Sequence, residues 1–374
     1  MPENRIKPII MPKWGLSMSE GKLTGWLKQP GSTVKVGDEL LEVETDKIAN
    51  VVEAGDAGIL RRITGEVDTV YPVKALLGVL ADADVTEAEI DAYVASYVTP
   101  AADEGEEVEA GPTYEFAELP GGTLRYAKRG EGAPPVILIH GFGGDLDNWL
   151  FNIDALAEAA TVYAIDLPGH GQSAKKLADP TIAGLAKAVL EFMDAVGIDG
   201  AHLVGHSMGG AIAIRAALDA PSRVKSLALI CPAGVGPEIN RDYVHGFVSA
   251  SSRRDLKPVL ELLFADKTLV SRQMVENLLK YKRIDGVQEI LRSLSQALVE
   301  NPEAQARLLA ARKALKVPAA VVWGREDRIL PVAQATALGA RARVDVIDGA
   351  GHMVQMEAAS RVNAILKDHL VASA

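Results

Sequence analysis

Residues 201–220 read AHLVGHSMGGAIAIRAALDA, and the order of types in this stretch decides the architecture of most of the chain. The apolar run Ala201-His202-Leu203-Val204 suits a buried strand. The alanine-rich run after Gly210 suits a helix. Between them lies Gly205-His206-Ser207-Met208-Gly209, a GxSxG pattern in the strand–turn–helix context that its chemistry requires. Glycines on both sides permit a sharp turn that lifts Ser207 above a sheet. Its hydroxyl then lies at a helix N-terminus, where the dipole favours developing negative charge. Ser207 is the candidate nucleophile.

Outward from this stretch, strand-like runs (VILIHG, VYAIDLPG, LALICPAG, AAVVWGRED, VDVIDGAGH) alternate with helical ones such as TIAGLAKAVLEFMDAVG. That alternation predicts βαβ units and a mostly parallel sheet covered on both faces. From about 236 to 317 the strand signal gives way to amphipathic helices, read as a helical cap inserted over the sheet.

A serine needs a base and a group that orients the base. Asp327 follows AAVVWG in GREDRILP, and His352 follows VDVID in GAGHM, giving the chain order Ser, Asp, His. His352 is assigned as general base and then acid, and Asp327 as the orienting carboxylate, with Glu326, Asp345 and Asp348 as competitors. The oxyanion hole combines the N–H of Met208 with that of Phe142, in His140-Gly141-Phe142-Gly143-Gly144. His140, His170 and His206 sit beside turn glycines and are read as loop-shaping residues, and Asp166 as a loop brace. The seven histidines are scattered without HxH or HExxH spacing, so no metal site is expected.

With HGFGG, DLPGHGQS, GHSMGG, GREDRILP and GAGHM in order, residues 114–374 resemble the α/β-hydrolase family. The resemblance implies acyl chemistry through a serine ester. It names no substrate, because that fold serves esterases, thioesterases, carbon–carbon hydrolases, dehalogenases and haloperoxidases.

The front of the chain is built differently. GWLKQPGSTVKVGDELLEV and RRITGEVDTVYPVKALLGV form a weak repeat that aligns Leu27 with Ile63, Val34 with Val70 and Leu40 with Leu76. Short apolar pairs broken by Gly, Pro or Asp predict the strands and turns of a flattened all-β sandwich. ETDKIAN, residues 44–50, falls between the halves, so Lys47 is expected at a turn tip facing solvent. VTEAEIDAYVASYV follows, with Thr86 and Glu89 at capping-box spacing and Ile90, Tyr93, Val94 and Tyr97 on one helical face, to pack on a domain or a partner. TPAADEGEEVEAGP then reads as a charged, extended linker. The domains expected are 4–82, a short helix and acidic linker over 83–113, and 114–374.

Residues 4–82, with MPKWGLSMSEGKLTGWL and VKVGDELLEVETDKIA, resemble the lipoyl domains of 2-oxo acid dehydrogenase complexes. The resemblance implies lipoate in amide linkage on Lys47. Biotin carriers share the fold but usually set their lysine between methionines, whereas Asp46 and Ile48 flank this one. Val73-Lys74 stands where the second half usually has a glycine.

A lipoyl-type domain fused to an α/β-hydrolase-type domain is similar to the acyltransferase components of acetoin dehydrogenase complexes. That family implies acetyl transfer from S-acetyldihydrolipoyl-Lys47 to coenzyme A. Its implied partners are a thiamine-diphosphate-dependent acetoin-cleaving component and a flavin-containing dihydrolipoamide dehydrogenase, and a homo-oligomer is expected. Ordinary acyltransferase components carry HxxxDG, which this chain lacks. It also has no room for a peripheral-subunit-binding domain over 83–113, so the helix at 86–98 is a docking candidate. Arg253, Arg254, Lys257, Lys280, Lys282 and Arg283 are read equally as phosphate partners of coenzyme A or as solvated charges. The alternatives are a lipoyl-linked thioesterase and a swinging-arm scaffold with an idle triad.

The net charge of −11 is front-loaded. Residues 1–98 carry 10 basic and 16 acidic side chains, residues 99–113 carry none and 5, and the remainder carries 29 of each. An acidic N-terminal part is a poor partner for nucleic acid or an anionic membrane surface. Without a secretory signal pattern or a long apolar span, the chain is expected to be cytoplasmic. Cys231, the single cysteine, is read as a small buried hydrophobe at a strand end.

Overall fold

The computed structural model describes residues 5–14, 18–45, 49–100 and 114–373, in two compact units. Lys47 and the acidic stretch 101–113 lie outside the described residues.

The N-terminal unit is an all-β sandwich. Its strands are β1 (Ile6–Ile10), β2 (Glu20–Trp26), β3 (Thr33–Val34), β4 (Glu39–Glu44), β5 (Ala49–Glu53), β6 (Gly58–Ile63), β7 (Thr69–Pro72) and β8 (Leu76–Ala81). One sheet has the order β1-β8-β6-β3 and the other β5-β4-β2-β7. Exchanging β1 with β5, β2 with β6, β3 with β7 and β4 with β8 converts one order into the other. The sequence repeat is therefore a structural repeat. It holds for strands better than for side chains, because Val34 is buried whereas its counterpart Val70 is 53% exposed. Leu23, Leu41, Val43, Leu60 and Leu77 fill the core between the sheets.

The turns before β4 and β8 match as well. The Gly37 N–H donates to the Ala54 carbonyl at 2.8 Å, and the Lys74 N–H donates to the Met11 carbonyl at 2.9 Å. Both residues are left-handed, with φ of 87° at Gly37 and 68° at Lys74. Lysine thus occupies a conformation in which its Cβ is strained.

Helix α1 (Glu87–Ser96) starts at the Thr86–Glu89 capping box. Its Ile90 packs with Ala81, Val85, Val94 and Ile6, and the Tyr97 hydroxyl donates to the Lys74 carbonyl at 2.8 Å. Of the two destinations expected for its apolar face, the face is taken up by its own domain.

The second unit is an α/β sheet with helices on its faces. It runs β9 (Tyr114–Leu119), β10 (Gly122–Arg129), β11 (Val136–Ile139), α2 (Ile153–Ala157), β12 (Val162–Ile165), α3 (Ile182–Ala195), β13 (Ala201–His206), α4 (Met208–Asp219) and β14 (Val224–Ile230). The chain then leaves the sheet for α5 (Arg241–Ser249), α6 (Arg253–Leu260), α7 (Arg272–Lys282), α8 (Val287–Ser295) and α9 (Pro302–Ala311). It returns through β15 (Ala319–Gly324), β16 (Ala342–Ile347), α10 (Val354–Glu357) and α11 (Ala359–Ala372).

The strand order is β16-β15-β14-β13-β11-β12-β10-β9, parallel from β16 through β12 and antiparallel at β10 and β9. Val136, Ile137, Leu138 and Ile139 are each 0% exposed, as a strand covered on both faces requires. Because β11, β13, β15 and β16 are parallel, the loops that follow them, carrying Phe142, Ser207, Asp327 and His352, open at one end of the sheet. Among the described residues, no helix is long and apolar enough to cross a membrane.

Candidate active site

Ser207 links β13 to α4 with φ 54° and ψ −118°, a strained conformation for a residue with a side chain. Neighbouring glycines make this turn possible. A Cβ on Gly205 would lie 2.3 Å from the Gly209 carbonyl oxygen, and one on Gly209 would lie 2.2 Å from that of Ile139. Strand, turn and helix therefore approach more closely than any side chain allows.

The loop after β11 is pressed against the serine: a Cβ on Gly141 would lie 3.0 Å from Ser207 Cβ. Two histidines shape this loop. His140 Nδ1 donates to the Gly141 carbonyl at 2.8 Å, and its Nε2 accepts from the Leu167 N–H at 3.0 Å. His170 Nε2 accepts from the Gly143 N–H at 3.3 Å, and the Gly144 N–H donates back to the Gly141 carbonyl at 3.2 Å. Burial keeps both rings neutral, lowering His140 well below the ordinary histidine value and His170 to about 4. The N–H groups of Gly143 and Gly144 are thus occupied. Among the described residues, nothing accepts a hydrogen bond from the N–H of Phe142 or of Met208.

His352 Nδ1 and Asp327 Oδ2 are 2.8 Å apart, with side chains 2% and 0% exposed. Trp323 Nε1 donates to the same oxygen at 3.1 Å, and the N–H groups of Ile329 and Leu330 donate to Asp327 Oδ1 at 2.8 and 3.0 Å. Burial opposes charge on Asp327, but His352 and these donors outweigh it and hold the carboxyl below its ordinary range. Its competitors are engaged elsewhere or face solvent. Asp345 pairs with Arg343, Asp348 with Arg325, and Glu326 is exposed.

The sequence did not reveal what holds His352 from the other side. His206 Nε2 donates to the His352 carbonyl at 3.0 Å, so the residue beside the serine braces the backbone of the histidine. Burial lowers His206 to about 3, which keeps it neutral, and a carbonyl oxygen accepts only, so the ring proton is on Nε2. Glu357 braces the same loop by accepting from the N–H groups of Gly351 and Ala265 at 2.8 and 2.7 Å. Cys231 is fully buried at the end of β14, and its Sγ clusters with Asp327 and His352 within 4.8 Å. Burial first, and Asp327 second, raise the thiol well above its ordinary value, leaving it an uncharged packing group. Asp166 accepts from the N–H groups of Leu146 and Gln172 at 2.8 and 2.7 Å and faces Arg125, so it braces the loops on either side of it.

Of the basic side chains weighed as phosphate partners, Lys282 is excluded. It is 3% exposed, and its ammonium donates to the carbonyls of Phe247, Val248 and Ala250. The spacing carried that signal: Val275, Leu279 and Lys282 fall at i, i+4 and i+7, on the buried face of α7. Lys257 pairs with Glu261 at 3.5 Å.

Two family models match the chain, one described as the alpha/beta hydrolase fold over residues 134–359 and one described as biotin-requiring enzyme over residues 7–80. A "dihydrolipoyllysine-residue acetyltransferase component of acetoin cleaving system" from Cupriavidus necator is 56% identical, over 98% of this chain and 97% of that protein. A protein of the same name from Pseudomonas putida is 48% identical, over 98% and 100%. Among solved structures, a meta-cleavage product hydrolase from Pseudomonas fluorescens superposes with a TM-score of 0.62 at 25% identity, covering 70% of this chain and 98% of that one. With a lipoyl/biotinyl-type sandwich and an α/β-hydrolase unit on one chain, and relatives matched from end to end, the chain belongs to the family of dihydrolipoyllysine-residue acetyltransferase components of acetoin-cleaving systems.

Proposed function

We propose that the chain transfers an acetyl group from a lipoyl thioester on Lys47 to coenzyme A by way of an ester on Ser207. The observation that carries this reading is the His352–Asp327 pair at 2.8 Å and a strained serine at the same end of one parallel sheet, on the same chain as a lipoyl-type domain. Lys47 belongs to the connection between β4 and β5, which pair antiparallel with Glu44 opposite Ala49. A lysine between two paired strands fits a covalent arm. When attached there, lipoate supplies a thiol that carries the acyl group.

In the first half-reaction His352 takes the proton from Ser207 Oγ, which attacks the thioester carbonyl. The N–H groups of Phe142 and Met208 donate to the developing oxyanion. The C–S bond breaks, and the departing thiolate takes the proton from His352. In the second half-reaction His352 takes the proton of the coenzyme A thiol, sulfur attacks the acyl-serine, and Ser207 Oγ leaves and is reprotonated. Asp327 holds the imidazole in the tautomer that presents Nε2 to the serine.

Water at about 55 M competes with a thiol near the millimolar range, so transfer requires a preference of about 10⁴ to 10⁵, or roughly 6 kcal/mol. The seated cap, with Ile290 packed on Gly169 and the Tyr281 hydroxyl donating to the Gly169 carbonyl at 3.1 Å, supports exclusion of water. Within an acetoin-cleaving system in the cytoplasm, the partners are a thiamine-diphosphate-dependent component that loads the arm and a dihydrolipoamide dehydrogenase that reoxidises it.

The test follows acetyl-CoA and acetate from lipoylated, acetyl-loaded protein with coenzyme A, for wild type, Ser207→Ala and Lys47→Arg. Acetyl-CoA that disappears in Ser207→Ala, together with an unloadable Lys47→Arg chain, is the expected result. Acetate in its place would make the protein a thioesterase. Equal acetyl-CoA from wild type and Ser207→Ala would remove Ser207 from the mechanism.

A further inference from the structure

The oxyanion loop carries a cap side chain directly on top of it. Gly143 has φ 69°, and a Cβ there would lie 2.4 Å from the Phe247 ring, so the ring of α5 fills the space that a side chain on the loop would take. The same ring meets Phe142 edge to face, at 5.6 Å between centroids. Phe247 is 2% exposed and Phe142 9% exposed. Gly141 of this loop touches Ser207, so the loop on which the two rings sit is the one that adjoins the serine.

What holds the ring down is unusual for a surface-type residue. Lys282, on α7, donates to the carbonyls of Phe247, Val248 and Ala250 in the last turn of α5 and just beyond it. A helix C-terminus leaves such carbonyls unpartnered and carries partial negative charge, so a buried ammonium satisfies both. The ammonium also lies 5.2 Å from the centroid of the Phe247 ring. Lys282 thus fixes the end of α5, and α5 presents Phe247 to the loop.

We infer that Phe247 is the specificity-determining residue that limits the acyl group on Ser207 to a short chain, and that Lys282 is the positioning residue that keeps Phe247 on the oxyanion loop. This rests on the acyltransferase reading above. An aromatic ring that only filled the core would lower stability when truncated and would leave the ranking of acyl groups unchanged.

The experiment uses the full-length lipoylated protein and two assays over acetyl, butyryl and hexanoyl groups: transfer to coenzyme A from the acyl-loaded arm, and hydrolysis of p-nitrophenyl esters. Wild type is expected to favour acetyl in both. Phe247→Ala should raise the butyryl-to-acetyl ratio of kcat/KM at least about ten-fold, since each buried methylene is worth about four-fold. Lys282→Met should shift the ratio the same way by a smaller factor. If Phe247→Ala does not fold, Phe247→Leu is read instead, with an expected shift of a few-fold. Loss of activity at all chain lengths with an unchanged ratio would overturn the inference. A shifted ester ranking without transfer to coenzyme A in any variant would retain the size limit and reject the acyltransferase reading. Inactivity of wild type in both assays would overturn both.

Discussion

His352 Nδ1 and Asp327 Oδ2 stand 2.8 Å apart, and the same carboxylate accepts from the Trp323 indole, on β15, and from the N–H groups of Ile329 and Leu330 just after it. Four donors converge on two oxygens, so the carboxylate has one orientation, and so does the imidazole it holds. Asp327→Asn should lower kcat by about 10³ to 10⁴, because an amide favours the wrong imidazole tautomer. KM should change little. Steady-state transfer kinetics read both, and a loss below ten-fold would mean that another group orients His352.

On the opposite side of the same histidine, His206 gives its one donated hydrogen bond to the His352 carbonyl. Such a bond contributes about 1 kcal/mol net, so His206→Phe should lower kcat several-fold with KM near the wild-type value. A matched fall in thermal stability with unchanged kcat would identify a bond that serves folding alone.

Glu357 makes stability depend on pH. Burial raises its carboxyl from 4.5 to about 7, against the N–H groups of Ala265, Gly351 and Asp266, which favour its charge. Between those values the folded chain keeps a proton that the unfolded chain has lost, so stability falls as pH rises through this window. The loss approaches about 3 kcal/mol for a shift of this size. Thermal midpoints from pH 4.5 to 7.5 should therefore decline more steeply for wild type than for Glu357→Gln. Parallel curves would overturn this assignment.

Lys74 offers a test in the opposite direction. Its left-handed φ of 68° matches that of Gly37, at which the first half of the sandwich has the residue suited to the turn. Lys74→Gly should stabilise the N-terminal unit by about 0.5–1 kcal/mol, and Gly37→Ala should destabilise it by about 1–2 kcal/mol. Urea unfolding of the full chain, followed by probes in that unit, measures both.

The parts of the site that the sequence displayed are those set by local rules. Ser207 was legible because a strand, a tight glycine turn and a helix follow one another within a few residues. Asp327 and His352 were legible because each trails a strand of a parallel sheet, whose strand ends share one edge. The Thr86–Glu89 cap and the repeat of the sandwich are equally local. The position of Phe247 on Gly143 was not legible, because it depends on how an inserted helix meets a loop about a hundred residues earlier. Lys282 was misjudged for a different reason. Its residue type suggested solvent, whereas its spacing from Val275 and Leu279 placed it inside, and the carbonyls at the end of α5 made that burial tolerable.

The exchange of strands between the two sheets has a consequence for how the N-terminal unit comes apart. Each sheet takes two strands from the first half of the repeat and two from the second, with β1 paired to β8 and β3 to β6 in one, and β5 to β4 and β7 to β2 in the other. Neither half therefore has a hydrophobic interior of its own. An isolated half-repeat should remain unfolded, and a lesion in either half should melt both sheets in one cooperative transition. The strands that flank Lys47 belong to different halves, so the segment between them has its frame only while the entire sandwich is intact.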